Sequence, residues 1–155
     1  MPQGLIKPSN AILYAGKPQY QELEAESTGI KPGRLVMTGT AEWQCKVGTA
    51  AGAATILGVA DVEPTERRQT TTTTDPDNAT AYSAADQVRV LRGDVVVMVV
   101  AASGETINVG TRLEAGNAGV VKAWATSPKD VGYALTAKPT NGGDDNEWIL
   151  MKCTI

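Results

Sequence analysis

Two stretches of this chain share one order of turns and strands, and that repetition constrains the fold more than any other feature. Residues 107–137 read INVGTRLEAGNAGVVKAWATSPKDVGYALTA. They open on a turn at Asn108-Val109-Gly110 and turn again at Ala115-Gly116-Asn117 and at Ser127-Pro128-Lys129-Asp130. Strands are expected between the turns, over 111–114, 120–124 and 131–135, because β-branched residues fill short gaps between Gly, Asn and Ser-Pro punctuation. A looser version covers residues 30–62. There Ile30-Lys31-Pro32-Gly33-Arg34-Leu35 matches residues 107–113 with a one-residue shift, and Ile56-Leu57-Gly58-Val59-Ala60 matches Asp130-Val131-Gly132-Tyr133-Ala134. Neither copy holds a catalytic motif.

The totals favour sheet. Of 155 residues, 42% are hydrophobic but only 5% aromatic, with no Phe, so Val, Ile, Leu and Ala must fill the core. Small branched side chains suit sheet packing. There is no His, which removes the commonest general base and a frequent metal ligand. The two cysteines, Cys45 and Cys153, stand alone without C-x-x-C spacing, against a zinc site; buried thiols and a single bridge both fit. Net charge is −3, which gives no support for nucleic-acid binding. No apolar run near the start is long enough for a signal peptide or a membrane span, so synthesis and use in a cytosol, or release by lysis, is expected.

Along the chain, residues 1–20 carry Pro2, Pro8 and Pro18, which prohibit a long helix, and Lys7 and Lys17 with no acid. Leu5, Ile6, Ile12, Leu13 and Tyr14 are too apolar for a solvated tail. An extended N-terminal arm over 1–20 is one reading; a first edge strand of the body is the other. Residues 21–155 are expected to form a single β domain. Residues 20–27 are acidic and fit a helical turn or an exposed strand. Strands are expected over 35–38, 42–47, 55–62, 87–91, 95–100 and 147–155. The last of these would pin the C-terminus in the sheet. Residues 63–80 are of low complexity, with five consecutive threonines at 70–74, and read as a long exposed loop. Arg67 and Arg68 at its base could grip an acidic partner. Arg92-Gly93-Asp94 fits a turn between strands better than an adhesion motif.

Candidate chemistry is thin. Asp144, Asp145, Asn146 and Glu147 cluster oxygen ligands but lack EF-hand spacing, and a charged turn is the simpler account. Glu66, Asp75 and Asp77 could pair for acid–base work, but lie in the loop, whereas catalysis needs groups held in place. Trp43, Trp124 and Trp148 each fall in an expected strand, with the core their first home and an interface the minority reading for one of them.

Gly93-Asp94-Val95-Val96, Gly110-Thr111-Arg112-Leu113, Val120-Val121-Lys122-Ala123 and Val131-Gly132-Tyr133-Ala134-Leu135 resemble elements of the small β-rich decoration (cement) proteins of tailed-bacteriophage capsids. The resemblance covers residues 88–137, with the echo at 30–62. It implies an all-β, compact sandwich or barrel-like (β-tulip-like) body of short antiparallel strands. It further implies a virion structural protein, without cofactor or catalysis, that binds the major capsid protein on the outside of a mature icosahedral head. There it would act as a homotrimer tying neighbouring capsomers together. The arm and the Thr-rich loop have no counterpart in the resemblance. From their residue chemistry, the candidate capsid or subunit contacts are Leu5, Ile6, Lys7, Ile12, Leu13, Tyr14, Lys17, Arg67 and Arg68. No nucleic-acid or membrane partner is expected. The alternatives are another virion or surface β module, such as a tail component or carbohydrate-binding adhesin, and a small enzyme on a β scaffold.

Overall fold

The computed structural model describes residues 12–62, 76, 80–127 and 129–155. Their strands are β1 (Leu13–Gly16), β2 (Gln19–Ala25), β3 (Leu35–Thr38), β4 (Gln44–Val47), β5 (Ile56–Ala60), β6 (Gln87–Arg92), β7 (Val95–Ala101), β8 (Arg112–Ala115), β9 (Val121–Ala123), β10 (Gly132–Ala134) and β11 (Glu147–Cys153). Among the described residues there is no α-helix, only 3-10 turns such as Ala53–Thr55 and Asn117–Gly119. The fold is all-β, as the turn spacing predicts.

The strands close into two small barrels. The first runs β2-β4-β3-β5-β6, and the second runs β7-β9-β8-β10-β11 and closes through β7 against β11. β1 lies outside the second ring, antiparallel to the start of β7, with a register shift between Leu13 and Ala15. Both rings follow one strand order, and each contains one parallel join, β2–β4 and β7–β9. The chain therefore carries one topology twice.

Hydrogen bonds fix which positions correspond. The Gly33 N–H donates to the Ala60 carbonyl at 2.9 Å, and the Gly110 N–H to the Ala134 carbonyl at 2.7 Å. Ala60 N–H returns to the Arg34 carbonyl, as Ala134 N–H returns to that of Thr111. Val36 faces Gly58 across β3–β5, and Leu113 faces Gly132 across β8–β10. The match thus runs in constant register through the first strand of each repeat. Leu35 stands where Arg112 does and Val36 where Leu113 does, so the one-residue shift read from the sequence disappears. The two sequence cassettes are the middle three strands of each barrel.

Side chains alternate across each strand, so every second residue enters a barrel. Leu23, Val36, Ala60, Val88 and Val90 fill the first interior, and Val97, Val99, Leu113, Val121, Ile149 and Met151 the second. Glycine is required where barrel walls pinch. A Cβ at Gly58 would run into the Leu91 carbonyl, and one at Gly132 into that of Lys152. The loop after the fourth strand of each barrel, β5 and β10, holds one fully buried large side chain. Tyr82 donates its hydroxyl to the Asp61 carbonyl at 2.8 Å, and Lys138, at the matching place, donates Nζ to the Gly143 carbonyl at 3.0 Å.

The barrels pack through outward faces. Leu35, Val59 and Leu91 point out of the first barrel, yet are fully buried and join the same cluster as Met98, Val100 and Trp148, which point out of the second. Trp148 seats against Gly33, where a Cβ would collide with its ring. Polar bonds frame this contact. Val100 N–H donates to Gly33 O at 3.2 Å, Gly119 N–H to Gly48 O at 2.8 Å, and the Arg34 guanidinium to Ala118 O at 3.0 Å. Lys129 Nζ reaches the Ile56 carbonyl at 3.2 Å.

Candidate functional site

The most concentrated exposed chemistry lies on the outer face of the second barrel. Tyr133 on β10 stands beside Arg112 on β8 and Lys152 on β11, and the Trp124 N–H donates to the Arg112 carbonyl at 2.8 Å. Strand alternation therefore aims four side chains outward in one line: Trp124, Arg112, Tyr133 and Lys152. The Arg112 guanidinium stacks 4.4 Å from the Trp124 ring centroid and pairs with Asp130 at 2.8 Å. Lys152 pairs with Asp94, which holds its ammonium pKa above the ordinary value despite partial burial. Trp124 is 41% exposed and Tyr133 42%, so the strip is aromatic as well as charged.

A buried carboxylate fixes one end of this strip. Glu114 Oε2 accepts N–H groups from Ala125 at 3.1 Å, Thr126 at 3.3 Å and Ser127 at 2.9 Å, while Oε1 meets Lys122 Nζ at 3.2 Å. Burial opposes ionisation of Glu114, but the Ser127, Ala125 and Thr126 amides and the Lys122 ammonium outweigh it and hold the pKa below the ordinary value. The captured turn returns a bond to the ring, since Trp124 Nε1 donates to the Ser127 carbonyl at 3.0 Å.

The first barrel shows a second polar face. Tyr20, Glu22 and Glu24 on β2 lie opposite Leu91, Arg89 and Gln87 on β6. Arg89 sits 5.2 Å from the Tyr20 ring and 3.6 Å from Glu22. Trp43, in the turn before β4, is 73% exposed and holds φ at 61°, a conformation that bulky residues rarely adopt. Between the barrels, Arg34, Asn117, Lys122 and Asn146 help line a cleft of about 310 Å³.

Of the sequence-predicted contacts, Ile12 is fully buried and its carbonyl accepts the Met98 N–H at 2.8 Å. Leu13 is half-buried in β1, Tyr14 is 61% exposed and Lys17 is exposed. Leu13 and Tyr14 lie on β1, paired to β7 of the second barrel, and Lys17 follows that strand. Leu5, Ile6, Lys7, Arg67 and Arg68 lie outside the described residues, as do the Thr70–Thr74 run, Glu66, Asp75 and Asp77. Of the three tryptophans only Trp148 is core; Trp43 and Trp124 lie outside the strands and are exposed. Sequence reading missed Arg112, Trp124 and Tyr133 as a unit. The signal was their odd spacing to inward-facing Leu113 and Gly132, but only the ring topology brings them onto one line. In the C-terminal acidic cluster, Asn146 accepts the Ser103 N–H at 2.9 Å and Glu147 accepts that of Thr140. Among the described residues no group of His, Cys, Asp and Glu could hold a metal ion. Cys45 and Cys153 are both free and buried, one in each barrel.

A family model described as "Structural cement protein (E217 gp24/Pam3 gp6)" matches residues 10–152. This chain belongs to the phage structural cement protein family. The match spans the strands of both barrels. The head fibre gp8.5 N base of bacteriophage phi29 has a similar fold, with a TM-score of 0.50 at 14% identity over 89% of this chain and 95% of that one. No curated protein matches the sequence. Family membership makes this a structural component of a phage capsid. No helix among the described residues is long and apolar enough to cross a membrane.

Proposed function

We propose that this cement protein binds the outer surface of a mature icosahedral capsid, contacts the major capsid protein and stabilises the shell by bridging neighbouring capsomers, without catalysing a reaction. The family match over residues 10–152 carries this reading. The physics is compatible with it. Two closed barrels locked by a buried apolar contact form a stiff body, and stiffness lets a clamp transmit load between the units it joins. The N-terminal segment with Leu5, Ile6 and Lys7, and Arg67 and Arg68 beyond β5, supply apolar and basic contacts on this reading. Assembly as a homotrimer would multiply weak contacts through avidity.

The test adds purified protein to expanded capsids that lack it, and measures bound copies and the temperature of capsid disruption. Saturable binding with a raised disruption temperature is expected. Deletion of residues 2–11 should weaken binding while leaving both barrels folded, because Ile12 and β1 are kept. No binding to expanded capsids would refute the proposal.

A further inference from the structure

Among the described residues, the duplication marks two faces that the contact between the barrels does not use. The barrels meet through non-equivalent faces: the Leu35–Val59–Leu91 face of the first packs on the Met98–Val100–Trp148 face of the second. Each face has a counterpart on the other barrel. The register that pairs Leu35 with Val59 and Val59 with Leu91 also pairs Arg112 with Tyr133 and Tyr133 with Lys152. So the aromatic and cationic strip occupies, on the second barrel, the place by which the first barrel docks. Likewise Met98↔Leu150 and Val100↔Trp148 on the second barrel correspond to Glu22↔Arg89 and Glu24↔Gln87 on the first. The docking mode is head-to-tail, and among the described residues one head and one tail take no part in it.

We propose that the free faces dock on each other between copies: the Arg112–Tyr133–Lys152 strip of one chain seats on the Glu22–Glu24 face of a second copy, repeating between chains the barrel–barrel contact already made within each chain. Charge supports the pairing, because two cations of the strip meet two acids. Arg112, Lys152 and Glu22 already hold Asp130, Asp94 and Arg89, but exposed pairs of this kind are weak, so exchanging partners costs little. Aromatics sit on both sides, Trp124 and Tyr133 against Tyr20, each face with an Arg over a ring. Replacing the apolar residues of the internal contact by charged ones makes the external contact weaker and salt-sensitive. A contact of that kind forms where copies are crowded. Such a heterologous contact closes into rings when the rotation between copies permits.

This inference is independent of capsid binding, because it is tested on the full-length protein in solution. Sedimentation from micromolar to millimolar concentration at low salt should show self-association that weakens as salt rises. Arg112→Glu with Lys152→Glu should abolish it, and so should Glu22→Lys with Glu24→Lys. An equimolar mixture of these two double variants should associate again, because each then offers the other a complementary face. Trp124→Ala, at an exposed site, should weaken association about tenfold, with far-UV circular dichroism unchanged. A monomer at all concentrations, or association indifferent to all these changes, would overturn the inference. Association by the variants without rescue on mixing would assign the contact to another surface and overturn it equally.

Discussion

The Glu114 carboxylate accepts the Ser127 N–H at 2.9 Å, and through that bond a buried acid holds the turn that follows Trp124. The same oxygen also takes the amides of Ala125 and Thr126, so a glutamine carbonyl there keeps acceptors for the turn but loses the charge, and its NH2 group faces the Lys122 ammonium. Glu114→Gln should destabilise the protein by about 1–3 kcal/mol, because the turn loses hydrogen bonds to a charged acceptor and Lys122 loses its ion-pair partner. It should also red-shift the Trp124 emission as the ring loosens. Chemical denaturation followed by fluorescence measures both, and an unchanged midpoint and spectrum would contradict the role.

The same residue sets a pH response. Its folded pKa lies below the ordinary value of 4.5, so the stability it contributes is fully present above about pH 4.5 and is lost as pH falls through the folded value. Melting temperatures between pH 3 and 6 should therefore fall more steeply for the natural protein than for Glu114→Gln. Parallel curves would exclude Glu114 as a source of acid sensitivity.

Gly58 and Gly132 should fail alike. Each lies where an added Cβ meets the backbone carbonyl of the next strand in its ring, and a barrel wall cannot shift as a flexible side chain can. Ala at either position should cost about 1–3 kcal/mol through overpacking. Thermal melts of the two variants decide this, and tolerance at one position but not the other would break the equivalence of the barrels.

The barrels should unfold together. Trp148 is 1% exposed and seals the contact between them, so Trp148→Ala should cost about 3–5 kcal/mol. Far-UV circular dichroism and tryptophan fluorescence of the natural protein should trace one coincident transition. Separate transitions would mean that the barrels are independent units.

Burial pushes the Cys45 thiol up to about 11, and raises that of Cys153 against the opposing pull of the Ile155 and Gly93 backbone groups. Both should therefore resist a thiol reagent at pH 8 in the folded protein and react only after denaturation. Rapid labelling of either thiol under native conditions would count against their burial.

Much of the barrel framework was legible because its signals are local. Leu35–Thr38 is a short apolar run between turn-forming neighbours, and Gly33 and Gly110 announce the positive-φ turns that open both repeats. What stayed hidden depends on contacts distant in sequence. β2 reads as an acidic stretch, since Glu22 and Glu24 face outward and only Leu23 and Ala25 enter the barrel. Its match to the Val-rich β7 disappears because the outward positions have diverged, Glu22 and Glu24 against Met98 and Val100. Lys138 reads as part of a polar loop, yet is 1% exposed because its ammonium finds a carbonyl inside. Trp124 reads as core because an apolar strand precedes it, but the strand ends at Ala123 and leaves the ring outside.

Ring closure limits how copies would meet if they were crowded on a capsid, as proposed above. An open sheet ends in unpaired N–H and C=O groups that template pairing with the next molecule. Here each ring pairs its last strand with its first, and among the described residues the added strand β1 is short and carries a register shift that disrupts its ladder. On the proposed contact between copies, the described residues would therefore meet through side chains rather than through shared backbone ladders. Such a contact would be tunable by single substitutions, without a shared strand edge to extend.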